Sequence, residues 1–449
     1  MGTLLLSDAT LVATFDDSGR EIAGGSIYVR DNVIEAVESS ESVKREADAV
    51  IDCSGMVLTP GLINTHHHFY QTLTRNIPAV QNVNLFEWLT HLYPVWNRLT
   101  PAALRVSTTT AIAELLLSGC TAAADHNYVW PNGTRVDDQI EVAREMGFRF
   151  HAARGSMSLG QSKGGLPPDS VVENEDAVLT DSQRVIDAYH DRSRYAMTRV
   201  VLAPCSPFSV SADLMRETLK LARANRVHVH THLAETLDEE KFCIDHFACR
   251  PVELAERLGW MGPDVWHAHM VHPSAAECAR LGATRTGVAH CPTSNMRLGS
   301  GISPLRDLMN AGARVALGVD GSASNDCSNL LDEARHAMLL QRVRGDHEWL
   351  TAREVLRLAT RGGAEVLGRD DVGYLAPGMA ADIAGWRTDT LELAGGAIHD
   401  PLASLIFCRP RGVDLNIVNG RVRVRSGEIV DFDLVSHVRH HNELARSLT

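Results

Sequence analysis

Eight short apolar runs, each followed by a longer amphipathic stretch, fill the middle of this sequence. They fall near residues 56–66, 120–125, 149–154, 199–205, 226–232, 265–270, 286–291 and 314–320. Short apolar runs bounded by turn residues read as buried strands. The stretches between them, such as SADLMRETLKLARAN and LLDEARHAMLLQRVRG, repeat apolar residues at helical spacing. A strand–helix unit used eight times predicts an α/β chain closed into a (β/α)8 TIM barrel, with an open doubly wound sheet as the competing arrangement. The two chain ends have a different texture. GGSIYVRDNVIEAVES near the start and VDLNIVNGRVRVRSGEIVD near the end are strand-like and turn-rich. Neither suffices for a sandwich, so together they predict one small β-sandwich domain beside a distorted barrel. The expected division is 1–57 and 373–449 for the β domain and 58–372 for the barrel.

The formal net charge of -13 disfavours a nucleic-acid partner, since phosphate backbones need a basic surface. A single free base carries no phosphate and stays open as a ligand. Nine scattered cysteines without a CxxC pair suggest reduced thiols and no structural zinc knot. The start, MGTLLLSDATLVATFDD, lacks the basic and apolar regions of a secretory signal, and no apolar run approaches the roughly 20 residues of a membrane span. A cytoplasmic chain without a membrane partner is the expectation. Two irregular segments frame the barrel mouth: the insertion after the first strand, with Trp88 and Trp96, as a cover, and the Gly-, Ser- and Pro-rich 156–171 loop as a movable lid.

PGLINTHHH places histidines at 66, 67 and 68. Alternate residues of a strand share a face, so His66 and His68 point one way and His67 the other. Further candidates recur at strand ends: His228, His230, His232 and Glu235 in RVHVHTHLAET, His267 and His269 in VWHAHM, and Asp320 in RVALGVD. In a barrel the carboxyl ends of separate strands converge on one face, which gathers these residues into one polar cluster. So many unliganded imidazoles inside an apolar barrel would cost desolvation energy. His228, His230 and His267 read individually as core or supporting residues rather than ligands.

Taken together, PGLINTHHH at 60–68, HLAE at 232–235, His269, HCPTSNMRLGSG at 290–301, GVD at 318–320 and GYLAPGMAADI at 373–383 resemble the amidohydrolase superfamily. The resemblance is to its branch of cytosine, guanine and related heterocycle deaminases and triazine hydrolases, and spans nearly the whole chain. It implies His66, His68, His232 and Asp320 as ligands of one divalent metal ion, zinc or iron. It implies Glu235 as proton shuttle, Asp320 as base as well as ligand, and His269 beside the metal, water or substrate. Binuclear members use a lysine after the fourth strand; RVVLAPCSPFSV has none, which favours a single ion. The implied reaction is hydrolytic deamination of a small-molecule heterocycle, and the implied assembly is a homo-oligomer. HHHFYQTLTR and WLTHLYPVW most resemble the group that converts 8-oxoguanine to uric acid and ammonia. Isoxanthopterin or guanine deamination and alkylamine release from a hydroxytriazine are the alternatives, with a noncatalytic metal-binding protein as the competing class.

For substrate contacts, Gln71 matches a glutamine that reads the purine edge in guanine-type deaminases, and its amide both donates and accepts. Trp88 can stack on a flat ring or anchor its helix. Asn127, Tyr128 and Trp130 follow the second strand, and Cys205 the fourth; loop packing and an ordinary buried thiol are their alternative roles.

Overall fold

The computed structural model describes residues 2–43, 45–345 and 348–448. Its central sheet has eight parallel strands in sequential order: Leu62–Asn64, Cys120–Asn127, Arg149–Ser156, Thr198–Pro204, His228–Leu233, Val265–His269, Gly287–His290 and Arg314–Leu317. The second and third strands are buried at every position, as expected for strands covered on both faces. Their odd and even residues serve different neighbours. Phe150 and Ala152 of the third strand join the outer core beneath the helices, whereas Ala153 joins Ala122, Ala124, Val201, Ala203, Trp266 and Ala316 in a second cluster. Small residues there leave room for the indole of Trp266, which donates to Thr65 O at 3.1 Å.

Closure of the barrel is what assembles the site. Thr65 N and Oγ1 both donate to Leu317 O, and Val319 N donates to Asn64 Oδ1. Just beyond, Asp320–Gly321 pairs in parallel with His67–His68. First and last strands therefore meet where the HxH pair and Asp320 lie.

The chain ends build a nine-stranded sheet in which Met56–Pro60 lies between Ile383–Arg387 and Thr3–Ala13. Its apolar face includes Leu6, Val12, Ile27, Leu58, Ile383 and Ile417. The final helix, Leu434–Leu448, packs instead on the barrel side: His437 Nε2 and His441 Nε2 hydrogen-bond Thr110 Oγ1 and Thr72 Oγ1. No helix among the described residues is long and apolar enough to cross a membrane.

The insertion after the first strand forms an apolar cap, with Leu85, Trp88, Leu89, Tyr93 and Trp96 in one cluster with Tyr128, Cys205, Phe208 and Leu298. The 156–171 segment is tied down behind it. Ser158 N and Leu159 N donate to Ser209 O, and Leu166 N to Phe208 O.

Candidate active site

Three imidazoles and a carboxylate meet at the carboxyl end of the barrel. Asp320 Oδ1 is 3.2 Å from His66 Nε2 and 3.1 Å from His68 Nε2, and His68 Nε2 is 3.2 Å from His232 Nε2. The hydrogen bonds on the far side of each ring fix which nitrogen carries the proton. His68 Nδ1 contacts His126 O at 2.6 Å and His232 Nδ1 contacts Cys205 O at 2.7 Å; a carbonyl only accepts, so both Nδ1 atoms donate. His230 Nδ1 donates to Trp266 O, so its Nε2 accepts from His66 Nδ1 at 2.7 Å. Each Nε2 of His66, His68 and His232 is then a bare lone pair, aimed with a carboxylate oxygen at one point.

Burial keeps the His66 and His232 rings neutral. It pushes His66 well below the ordinary imidazole range and His232 down to about 3. His66 Nε2 is buried without a hydrogen-bond partner. Acceptors facing acceptors with no proton between them are unfavourable unless a cation sits there. Nitrogen and oxygen donors of this kind suit a divalent ion of the zinc or iron type, and the outer hydrogen bonds orient them for it. His66, His232, His269 and Asp320 also form a group whose ligand atoms lie within 4.8 Å of one another. Clusters of His66, His126 and His230 and of His68, His126 and His232 share these rings but have no carboxylate.

Asp320 Oδ2 accepts from Ser294 Oγ at 2.6 Å and Ser324 Oγ at 3.2 Å. His269 Nδ1 meets Asn295 Oδ1 at 3.0 Å, which leaves Nε2 facing Glu235 Oε2 at 3.5 Å and Asp320 Oδ2 at 3.9 Å. Burial, reinforced by the Asp320 charge, pushes the Glu235 carboxyl up to about 8. A carboxyl raised in this way is suited to hold and give a proton. Glu239 holds it in place: its two oxygens accept from Ala234 N at 2.9 Å and Glu235 N at 2.7 Å. Ala234, His269 and Asp320 all have left-handed backbones, with φ of 53°, 72° and 62°. For residues with a Cβ this costs energy and marks geometry imposed by the surroundings.

The cavity above the cluster is small, about 30 Å³, and its apolar wall includes Leu85, Trp88, Leu89, Phe208 and Leu298. Of the six expected substrate contacts, Trp88, Tyr128 and Cys205 line it. Burial pushes the Cys205 thiol up to about 12, so it stays neutral. Gln71, Asn127 and Trp130 are not brought to the wall. Gln71 lies against Gly321, where a Cβ would come within 1.8 Å of Oε1. Its Oε1 accepts from Ala323 N and its Nε2 donates to Tyr70 Oη, each at 3.3 Å. Asn127 Oδ1 accepts from Val129 N, closing its own turn. The Trp130 indole donates to Gly155 O and lies beneath the Arg154 guanidinium. No residue of the 156–171 segment lines the cavity.

Residues 57–423 match the amidohydrolase family model. The chain belongs to the amidohydrolase family. As a member it is a metal-dependent hydrolase acting on C–N bonds. It is 47% identical over 439 residues to an 8-oxoguanine deaminase of Pseudomonas aeruginosa, covering 97% of both proteins. It is 37% identical to a hydroxydechloroatrazine ethylaminohydrolase of a Pseudomonas species, over 96% of this chain and 93% of that protein. Among solved structures, atrazine chlorohydrolase from Arthrobacter aurescens, complexed with zinc, superposes with a TM-score of 0.94 at 36% identity, covering 98% of this chain and 100% of the other. This amidohydrolase therefore shares both the barrel and the terminal β module with a zinc-binding relative.

Proposed function

We propose that this chain removes an amino group from a flat heterocycle by hydrolysis, with 8-oxoguanine as substrate and uric acid and ammonia as products. The observation that carries the reading is the convergence of three Nε2 atoms and Asp320 on one point, with the buried Glu235 carboxyl beside them. The name of the 47%-identical relative supports the choice of substrate. His66, His68, His232 and Asp320 would hold one divalent ion, with zinc favoured over iron. Bound there, the ion supplies Lewis acidity that eases removal of a proton from water.

The side chains divide the remaining work. Asp320, with Oδ2 steadied by Ser294 and Ser324, takes a proton from the attacking water. The water oxygen bonds to the ring carbon that bears the amino group, and Glu235 delivers its proton to the adjacent ring nitrogen. Carbon becomes tetrahedral. The proton held by Asp320 passes, through Glu235 or His269, to the amino nitrogen. The C–N bond then breaks with its electron pair on ammonia, the proton left on the attacking oxygen passes to Glu235 and restores its acid form, and the ring carbon keeps the oxygen as a carbonyl. His269, held by Asn295, sits between the two carboxyl groups and guides the proton. Trp88 and Tyr128 would confine the ring, and Cys205 would offer a neutral, polarizable wall. Gln71 would act from behind, by holding the loop after Asp320. A cavity of about 30 Å³ has the space of a single water, so the cap around Leu85–Leu89 and Leu298 must open to admit a purine.

The test is ammonia release by metal-analysed protein from 8-oxoguanine, guanine, isoxanthopterin and hydroxyatrazine. The highest kcat/KM is expected for 8-oxoguanine. A higher value for a pterin, or release of an alkylamine from the triazine, would reassign the substrate. A metal-replete protein inactive on the whole panel would point to a noncatalytic role.

A further inference from the structure

We propose that the opposite, amino-terminal face of the barrel carries a second binding site, for a small oxyanion of the phosphate class. A cavity of about 250 Å³ opens there, lined by His151, His190, Arg192, Arg199, Arg226 and His228, with Val200, Val201, Leu367 and Gly368 completing its wall. These residues lie at or near the beginnings of the third, fourth and fifth strands, far along the chain's strand direction from the metal cluster. No carboxylate is among the lining residues. In a chain of net charge -13, three arginines gathered in one cavity run against the average, while burial and the neighbouring arginines push His190 and His228 down to about 4 and leave them as neutral polar rings.

Neighbouring arginines show what is missing. Arg149 is paired with Asp382 at 2.9 Å and Arg369 with Asp371 at 2.8 Å, all buried. Arg192, Arg199 and Arg226 form no ion pair among the described residues. Arg199 donates through Nη1 to Gly368 O at 3.0 Å, but its Nε is buried without a partner, as is His228 Nδ1. Burial and the nearby Arg369 charge push the Arg199 guanidinium down to about 10, which leaves it cationic at neutral pH. Val200 N donates to His190 Nδ1 at 3.0 Å, so His190 carries its proton on Nε2 and offers a further donor. A phosphate supplies both the missing charge and the acceptors for these donors.

A larger groove of about 760 Å³ elsewhere makes the contrast. Its arginines Arg387, Arg409 and Arg411 are each paired with a carboxylate, Asp389, Asp332 and Glu392. Every arginine of that groove has a carboxylate in direct contact; in the barrel-bottom cavity Asp191, Asp264, Asp370 and Asp371 act only from beyond its walls, and none of them pairs directly with Arg192, Arg199 or Arg226.

The test is calorimetric titration of the metal-loaded protein with inorganic phosphate and, separately, with glycerol 3-phosphate, at low and high salt. Saturable binding that weakens with salt is expected, reduced roughly tenfold or more in Arg199→Met and Arg226→Glu. Arg226 is exposed, so its variant tests charge without disturbing a buried bond. Tighter binding of glycerol 3-phosphate would assign the site to a phosphate ester, and tighter inorganic phosphate to the free ion. No binding to the unsubstituted protein, or binding equally strong in both variants as expected for phosphate seated on the metal, would overturn the proposal.

Discussion

His66, His68, His232 and Asp320 stand at strand ends tied into a closed sheet, whereas Trp88, Phe208 and Leu298 belong to the cap and to loops that pack above them. The floor is held by hydrogen bonds on the hidden side of every ring, and by backbone conformations that the surroundings impose. The walls are held by apolar contact. A floor of this kind fixes the chemistry, and walls of this kind decide which ring is admitted. Substitutions should therefore separate cleanly, with metal and turnover following the floor and substrate rank following the walls.

The largest effect is expected at the floor itself. His66→Ala removes one of the converging lone pairs, and both bound metal and ammonia release should drop to background in elemental and steady-state assays. Next comes Glu235→Gln, which keeps the shape but cannot deliver a proton. Its kcat should fall by about 10²–10⁴-fold while metal content stays whole. Near-normal turnover there would remove Glu235 from the shuttle role. One step further out, His230→Gln disturbs the acceptor that orients His66. Metal affinity should weaken by about 10–100-fold, measured by competition with a chelator. The smallest effect belongs to the wall. Trp88→Leu should retain its metal, change KM by roughly tenfold or less, and alter the preference among purine, pterin and triazine. A Trp88 variant that lost metal instead would erase the distinction between floor and wall.

The barrel and the HxH pair were readable because both rest on simple periods. Two-residue alternation puts His66 and His68 on one side, and the same alternation in the fifth strand runs through His228, His230 and His232. Those three histidines face different surroundings: His228 the proposed oxyanion cavity, His230 the hydrogen bond to His66, and His232 the converging imidazoles. What places Asp320 beside the pair is closure between Thr65 and Leu317, a contact between residues 252 apart that local patterning does not encode. His126 escaped sequence reading although it packs against His66, His68, His230 and His232. The signal was available: its strand runs on to Asn127, and 122, 124 and 126 share a face. Glu239 was missed because its role depends on the turn at Ala234, not on a motif. Gln71, Asn127 and Trp130 sit near the expected mouth, yet each side chain answers a nearer backbone partner. Proximity in sequence to a catalytic strand end does not determine where a loop side chain turns.

Metal content measured by mass spectrometry, on the unsubstituted protein and on single alanine variants of His66, His68, His232 and Asp320, tests the central claim most directly. About one equivalent of a divalent metal is expected in the parent, with strong depletion in each of the four variants and retention in Trp88→Leu. A full, equally tight equivalent in any of the four would contradict the assignment of that side chain, and in all four would end the account.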